Sequence, residues 1–209
     1  ATLTFDVTPV NDAPTVADRT LVIDEDTARV LSVADFGFAD VDGDGLASLT
    51  ITRAATAGTL ALDGVAVIDG QAVDRAAIDA GRLVYTPAAN GNGAAYDSFD
   101  FRAGDGAASS AEATLSFDVT AVNDAPTAAA ARLSVAQDAV LTLAVADFGF
   151  ADVDGDGLAS VRITSGGTAG VLRLAGVDVA DGQLVDPAAI AGGRLTTRRR
   201  RARAARATT

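Results

Sequence analysis

The sequence predicts an all-β protein built from tandem β-sandwich repeats with a period of about 112 residues. The block VADFGFADVDGDGLAS occurs twice without change, at residues 33–48 and 145–160. FDVTPVNDAPT at residues 5–15 likewise returns as FDVTAVNDAPT at residues 117–127. A fixed long period indicates an array of one domain type. Within it, short apolar-alternating runs separated by Gly, Asp and Pro turns are typical of β-strands.

The first four predicted strands of the complete repeat are short and end at turn residues. Residues 20–23 form one apolar run and residues 28–33 a second. Residues 49–53 alternate Leu and Ile with polar residues, and residues 58–62 are bounded by the Asp-Gly pair at 63–64. Asp-Gly pairs favour tight turns between strands.

The last three predicted strands carry apolar residues on one face. Residues 82–86 end at Pro87, residues 98–102 alternate two Phe with polar residues, and residues 114–122 close the repeat. Seven strands in roughly a hundred residues have the size and rhythm of an immunoglobulin-like sandwich. Residues 74–80 are predicted to form a helical turn or two. We expect the aromatic residues to lie in the core.

The repeat divides the chain into four segments. Residues 1–10 match the end of the complete repeat and are predicted to be the last strand of a preceding one. Residues 11–122 are a complete repeat, residues 123–196 a truncated second repeat, and residues 197–209 a disordered Arg-rich tail. Because the chain contains no Met, we expect it to be a piece of a longer protein.

The Arg-rich tail departs abruptly from the template. From residue 83 the first repeat reads LVYTPAANG, whereas from residue 195 the second reads LTTRRRRARAARATT. The codons TAC ACG CCG GCG GCG, read one base late, encode Thr-Arg-Arg-Arg-Arg, the string at residues 197–201. We therefore predict a shifted reading frame. The alternative is a polybasic tail for nucleic acid or acidic lipid, although its six Arg have no aromatic residues among them for base stacking.

Composition excludes most catalytic chemistry. The chain has no Cys, His or Lys, which excludes thiol, imidazole, zinc-finger and Schiff-base mechanisms. A carboxylate pair remains, but nothing marks one for catalysis, so we predict that the protein is not an enzyme. No apolar run is long enough to span a bilayer. The net charge of -12 and the absence of aromatic residues among the tail arginines also argue against nucleic acid as a partner.

Aspartate supplies 26 of the 28 acidic residues, and it favours turns and oxygen-ligand loops. The alternative cause is a GC-rich genome. Base composition does not explain why aspartates alternate at fixed repeat positions, in two sets: Asp40, Asp42, Asp44 and Asp152, Asp154, Asp156.

These two sets match the first half of a calcium loop, D-x-D-x-D-G. The twelfth position, where an EF-hand carries Glu, holds Ile51 or Ile163, and the flanks are predicted strands. The sequence therefore predicts a Ca²⁺ loop in a β context and not an EF-hand. The alternative is a solvated polar turn.

Further acidic residues lie at the repeat boundaries. Asn11-Asp12 and Asn123-Asp124 precede Ala-Pro, where Pro stiffens the join. Asp24-Glu25-Asp26 adds three carboxylates near the start of the complete repeat.

Taken in order, VNDAP, EDT, DVDGDG, LVYTP and DSFDFRAGDG resemble the bacterial cadherin-like repeats of large secreted adhesins, of VCBS and RTX-adhesin type. The resemblance implies a cadherin-like sandwich, Ca²⁺ at the joins, type I secretion to the cell surface, and a role in adhesion and biofilm. By this resemblance Glu25 and Asp26 match the acidic pair near the domain start, and Asn123 and Asp124 match the junction. The second copy reads AQDA at residues 136–139 and should bind an ion weakly there.

The sequence thus predicts a calcium-binding extracellular spacer or adhesion segment. Its expected partners are neighbouring repeats of the same polypeptide and a cell-surface or matrix ligand. The alternatives are a module that recognises a glycan or protein, and an accessory domain of a secreted hydrolase.

Overall fold

A computed structural model describes residues 1–136, 139–165 and 170–199, without the side chain of Arg199. The chain divides into two compact units, Ala1–Val122 and Asn123–Thr209. The division falls where one repeat of the sequence ends and the next begins.

The first unit is a sandwich of two sheets. One sheet has the strand order β1-β9-β8-β3-β6 and the other β2-β7-β4-β5. In this fully described unit, β1 and β9 run parallel and every other named strand pair is antiparallel. The predicted all-β fold is confirmed. The elements in chain order are β1 (Arg19–Asp24), β2 (Arg29–Val30), a 3₁₀ turn (Val33–Phe36), β3 (Ser48–Arg53), β4 (Gly58–Leu62), β5 (Val65–Ala66), β6 (Gln71–Asp74), α1 (Arg75–Asp79), β7 (Leu83–Pro87), β8 (Gly93–Gly104) and β9 (Ala113–Thr120).

Alternating side chains from both sheets form the core of the first unit. Phe36 meets the ring of Phe101 edge-on, with centroids 5.1 Å apart, and Tyr85 stacks on Phe117 at 3.7 Å. All four rings are fully buried, and each contributes roughly 1.5–3 kcal/mol through burial. The prediction that aromatic residues lie in the core is confirmed for these rings.

The predicted strand at residues 28–33 is wrong beyond Val30. The carboxylate of Asp35 accepts hydrogen bonds from the N–H and the hydroxyl of Ser32, at 2.7 and 2.8 Å. These bonds cap the 3₁₀ turn, which ends at Gly37 with a φ of +58°. The chain therefore leaves the sheet before Val33. Strands β5 and β6 were not predicted. Strand β5 is only two residues long and both of its residues are exposed.

The strand predicted for residues 1–10 does not form in this chain. Residues 1–10 have no regular secondary structure, and Phe5 and Val7 are 80% and 89% exposed. The template for this segment, β9, lies between β1 and β8 and is paired on both sides. Apolar alternation alone does not make a strand when the segment has no sheet to join.

The second unit repeats the order of the first with fewer strands in its described part. Its core is correspondingly small, with Leu143, Ile163, Val185, Ile190 and Leu195 buried. Its sheets are β11-β17-β14-β15, β13-β16 and β10-β12. The elements are β10 (Thr127–Ala128), β11 (Val140–Thr142), a 3₁₀ turn (Val145–Phe148), β12 (Phe150–Ala151), β13 (Val161–Ile163), β14 (Gly170–Leu174), β15 (Val177–Asp178), β16 (Gln183–Val185), α2 (Pro187–Ala191) and β17 (Leu195–Arg199).

The Arg-rich tail was predicted to begin at residue 197, but strand β17 continues to Arg199. Residues 197–199 belong to β17, where Thr197 pairs with Leu141 of β11 on one side and Leu172 of β14 on the other. These ladders use backbone groups, and threonine is favoured in strands, so residues that differ from the first repeat still form the strand here. The rest of the predicted tail, residues 200–209, lies outside the described residues.

Candidate functional site

The join motif and the acidic turn meet in the first unit, although they are thirty residues apart in sequence. The N–H of Asp12 donates to the carboxylate of Asp42 at 2.7 Å. Thr15 and Ala39 exchange two backbone hydrogen bonds of 2.7 and 2.9 Å, and the Thr15 hydroxyl adds a third to the Ala39 carbonyl at 3.1 Å. These bonds fix the incoming chain to the turn. We call Asn11, Asp12, Asp40, Asp42 and Asp44 the acidic turn site of this unit.

Alternating aspartates shape the turn itself. Asp40 Oδ1 accepts hydrogen bonds from the N–H groups of Asp42 and Asp44, at 2.8 and 3.2 Å. Gly43 has a φ of +84°, which L side chains rarely adopt. Asp40 Oδ2 is buried and has no hydrogen-bond partner among the described residues. A buried carboxylate oxygen without a donor is costly, so this atom is suited to a cation.

The second unit builds the same site from the same residue types. The N–H of Asp124 donates to the carboxylate of Asp154 at 2.6 Å. Asp152 Oδ1 accepts from the N–H groups of Asp154 and Asp156, at 3.0 and 3.1 Å. Asn123, Asp124, Asp152 and Asp156 line one cavity of about 320 Å³. The five predicted ligands of this unit therefore lie around one turn, although their carboxylates do not form a compact cluster.

The carboxylates of the two sites are spread out. In the described part of the chain, no three acidic side chains stand close enough together to hold a metal ion. Asp42 and Asp44 are exposed, as are Asp154 and Asp156. Their side chains have room to rotate, so convergence on an ion needs no rearrangement of the core.

Glu25 and Asp26 have different neighbours. Glu25 is 1% exposed, and its two oxygens accept hydrogen bonds from Asn92 Nδ2 at 2.9 Å and the Val122 N–H at 2.8 Å. The bond from Asn92, followed by that from Val122, holds the pKa of Glu25 below its ordinary value. Asp26 accepts from the Asn90 N–H at 3.1 Å.

Glu25 therefore holds the end of the unit through Val122, the residue that precedes the predicted junction residues Asn123 and Asp124. Its role as a calcium ligand remains a prediction. The equivalent positions of the second repeat, Gln137 and Asp138, lie outside the described residues.

Two residues near the first site were missed in the sequence. Asn11 Nδ2 donates to the carboxylate of Asp105 at 3.1 Å. The N–H groups of Ala108 and Ala107, and then Asn11, hold the pKa of Asp105 below its ordinary value. Arg75 lies beside the turn, because a Cβ on Gly45 would stand 2.8 Å from its guanidinium. The Gly-Asp-Gly string around Asp105 was a usable signal, whereas nothing in the sequence places Arg75 there.

No helix within the described residues has the length and apolar character needed to cross a membrane. Among known protein families, the one described as "Bacterial Ig domain" matches residues 11–118. The match covers the incoming segment, the acidic turn and all nine strands of the first unit except the last two residues of β9. No curated protein and no solved structure matches the chain.

Proposed function

Because this chain belongs to the bacterial Ig domain family, we propose that it is a calcium-binding spacer or adhesion segment of a large bacterial surface or secreted protein. The family consists of non-catalytic modules that are typically extracellular. Within it, we place the chain with the cadherin-like repeats of type I-secreted adhesins, which act in attachment and biofilm. Its partners are then the neighbouring repeats and a cell-surface or matrix ligand.

The observation that carries the proposal is the position of the acidic turn site. In each unit, the segment that enters the domain is hydrogen-bonded to the DVDGDG turn, through Asp12 and Asp42 or through Asp124 and Asp154. An ion bound at the turn would hold the incoming chain more firmly than one backbone hydrogen bond does. The site thus lies where a spacer needs to be stiffened.

The chemistry of the site favours Ca²⁺. Its side chains offer oxygen donors, and Ca²⁺ takes about six to eight oxygen ligands in flexible geometry. Asp40 supplies a buried oxygen without a donor, and the exposed carboxylates of Asp42 and Asp44 would have to turn toward the ion to complete the shell. Backbone carbonyls and water would supply the remaining ligands.

Binding would stabilise the folded chain in two ways. An ion that binds the folded state and not the unfolded one stabilises by mass action. It also offsets repulsion between carboxylates in a chain with a net charge of -12. In this account bound calcium stabilises the folded repeat, as disulfides stabilise many secreted domains. The chain itself has no cysteine.

Thermal unfolding of the full chain in EDTA, Ca²⁺ and Mg²⁺ tests the proposal. We expect Ca²⁺ to raise the unfolding temperature more than Mg²⁺ does, and Asp44→Asn to reduce the rise. Asp63→Asn, in the exposed turn after β4 and away from every predicted ligand, is the matched control. An equal rise in unfolding temperature with both ions in all three proteins would indicate that the acidic turn is a solvated polar turn and not a Ca²⁺ site. It would favour the alternative of glycan or protein recognition.

A further inference from the structure

One stretch of identical sequence is buried in the first unit and partly uncovered in the second. The block VADFGFADVDGDGLAS is the same in both. In the first unit Phe36 is fully buried and Leu46 is 2% exposed, whereas their counterparts Phe148 and Leu158 are only partly buried. Because the residues are the same, the difference in exposure arises from what packs on them.

Strand β8 covers this stretch in the first unit. It pairs with β3, and the ring of Phe101 meets Phe36 with centroids 5.1 Å apart. In the second unit β13 is the counterpart of β3, and within the described residues it pairs with β16 alone. A cavity of about 280 Å³ adjoins β13, and we call it the β13 groove. Apolar side chains line much of it: Phe148, Phe150, Leu158 and Val161.

The register of β8 indicates which segment would fit this groove. In the first unit Ala103 is opposite Leu49 and Arg102 is opposite Thr50. The second unit has an exposed arginine, Arg162, at the position of Thr50. Another arginine opposite it would place like charges across a strand pair, which is destabilising. The groove therefore suits an extended segment with alternate apolar residues and an acidic residue opposite Arg162.

Residues 1–8 of the chain have both features. Their sequence, ATLTFDVT, differs from that of β9 at one position, and in β9 the apolar residues of this sequence are buried. Here the same side chains are open to solvent, with Leu3 78%, Phe5 80% and Val7 89% exposed. Asp6 lies between two of them and is also exposed.

The register of β8 places these residues on complementary partners. If residues 1–8 lie antiparallel to β13, Phe5 takes the place of Phe101 and faces Phe148 in the groove. Asp6 then lies opposite Arg162 on the outer face of the sheet. An opposite-charge pair across two strands is stabilising, so apolar packing and charge select the same register.

The place of β9 in the second unit would suit residues 1–8 less well. In the first unit β9 pairs with β1 and β8. The counterpart of β1, residues 131–136, forms no strand. Strand β13, by contrast, is already formed and adjoins an apolar cavity.

We propose that residues 1–8 of one copy of this chain add as a strand to the β13 groove of a second copy. In strand addition, main-chain hydrogen bonds give affinity and side-chain pockets give specificity. Each copy carries one donor segment and one groove, so the contact is heterologous and copies join head to tail. The proposal goes beyond the spacer function and does not depend on calcium, so the two can fail separately.

Sedimentation velocity of the full chain in EDTA, over a wide range of concentration, tests the association. We expect assembly that grows with concentration and is abolished by deletion of residues 1–8 or by Leu158→Asp, which places a charge in the groove. Leu158 lies outside the buried core of its unit, so this variant should still fold, as circular dichroism can verify. Val177→Asp, at an exposed position of β15, is the control and should assemble like the wild-type chain.

A charge exchange tests the register. Asp6→Arg alone, or Arg162→Asp alone, should weaken association about fivefold because like charges then face each other across the strands. The two substitutions together should restore it. Asp63→Arg with Arg162→Asp keeps the same net charge and should not restore it, since Asp63 lies in the turn after β4.

Three results would overturn the proposal. They are a wild-type chain that stays monomeric at every concentration, assembly that persists without residues 1–8, and a charge exchange that fails to restore association.

Discussion

The carboxylate of Asp97 accepts a hydrogen bond of 3.0 Å from the hydroxyl of Tyr85, and both side chains are buried inside the first sandwich. Asp97 also accepts the N–H groups of Thr56, Ala57 and Gly58, at 3.1, 3.1 and 2.7 Å. One side chain on β8 therefore connects the opposite sheet with the loop that leads into β4. In the second repeat, Thr197 stands at the position of Tyr85.

Asp97→Ala should destabilise the first unit by about 3 kcal/mol, because it leaves several buried donors without an acceptor. Tyr85→Phe removes one donor and keeps the carboxylate, so it should cost about 1 kcal/mol. Urea unfolding followed by circular dichroism measures both. An equal loss from the two substitutions would show that the Tyr85 hydroxyl, and not the loop, depends on Asp97.

Asp97 should also make stability depend on pH. Burial tends to raise its pKa, but hydrogen bonds from the N–H groups of Thr56, Gly58 and Ser98 and from Tyr85 hold the pKa below the ordinary value of 3.8. A lowered folded-state pKa gives stability that is fully present above the unfolded pKa and is lost as the pH falls through the folded one.

In unfolding experiments at pH 7 and at steps below pH ~4, the wild-type chain should therefore lose more stability than Asp97→Asn does. In this account the gap in unfolding free energy between the wild-type chain and Asp97→Asn decreases as the pH falls. A gap that stays constant down to acid unfolding would contradict it.

Gly58 permits the close approach of Tyr85. A Cβ at this position would stand 2.5 Å from the Tyr85 hydroxyl and 2.6 Å from the Thr86 carbonyl, and the carbonyl belongs to the paired strand and cannot move cheaply. Gly58→Ala should cost about 2 kcal/mol or more. Gly104→Ala, also in a strand, meets its nearest atom at 3.5 Å and should cost less than about 1 kcal/mol. Thermal unfolding of the two variants measures the difference. Equal decreases in their unfolding temperatures would contradict the steric explanation.

Arg75 should weaken cation binding in the first unit. Its guanidinium lies beside Gly45 of the acidic turn, whereas the second repeat has Pro187 at this position. Arg75→Ala should raise the Ca²⁺ affinity of the first site about threefold, because a nearby positive charge is removed. Arg82→Ala, which breaks the exposed pair with Asp63, is the control. Titration calorimetry that gave the same affinity for both variants would contradict this role.

Local sequence predicted the elements that turn residues delimit. The strand at residues 58–62 has the bounds of β4, because glycine precedes it and an Asp-Gly turn follows. The helical turn at residues 74–80 contains α1. The strand at residues 28–33 was predicted too long, because its end depends on the two hydrogen bonds that the Asp35 carboxylate accepts from Ser32.

The site could be predicted only in part, for a similar reason. Alternate aspartates mark a turn, but the hydrogen bond from Asp12 to Asp42 joins residues whose proximity depends on the folded sandwich. Asp97 was missed because its donors at Thr56 to Gly58 lie some forty residues away in sequence. The strand predicted here began at residue 98, one position after Asp97, whereas β8 begins at Gly93, so the sequence carried no signal that Asp97 lies in a strand and needs a partner there.

Isothermal titration of the full chain with Ca²⁺ tests the central claim most directly, with the double variant Asp44→Asn and Asp156→Asn as comparison. The account predicts saturable binding to one site in each unit, with Mg²⁺ competing weakly, and a large loss of affinity in the variant. Absence of binding to the wild-type chain, or identical binding by the variant, would contradict the claim that the acidic turn sites hold calcium.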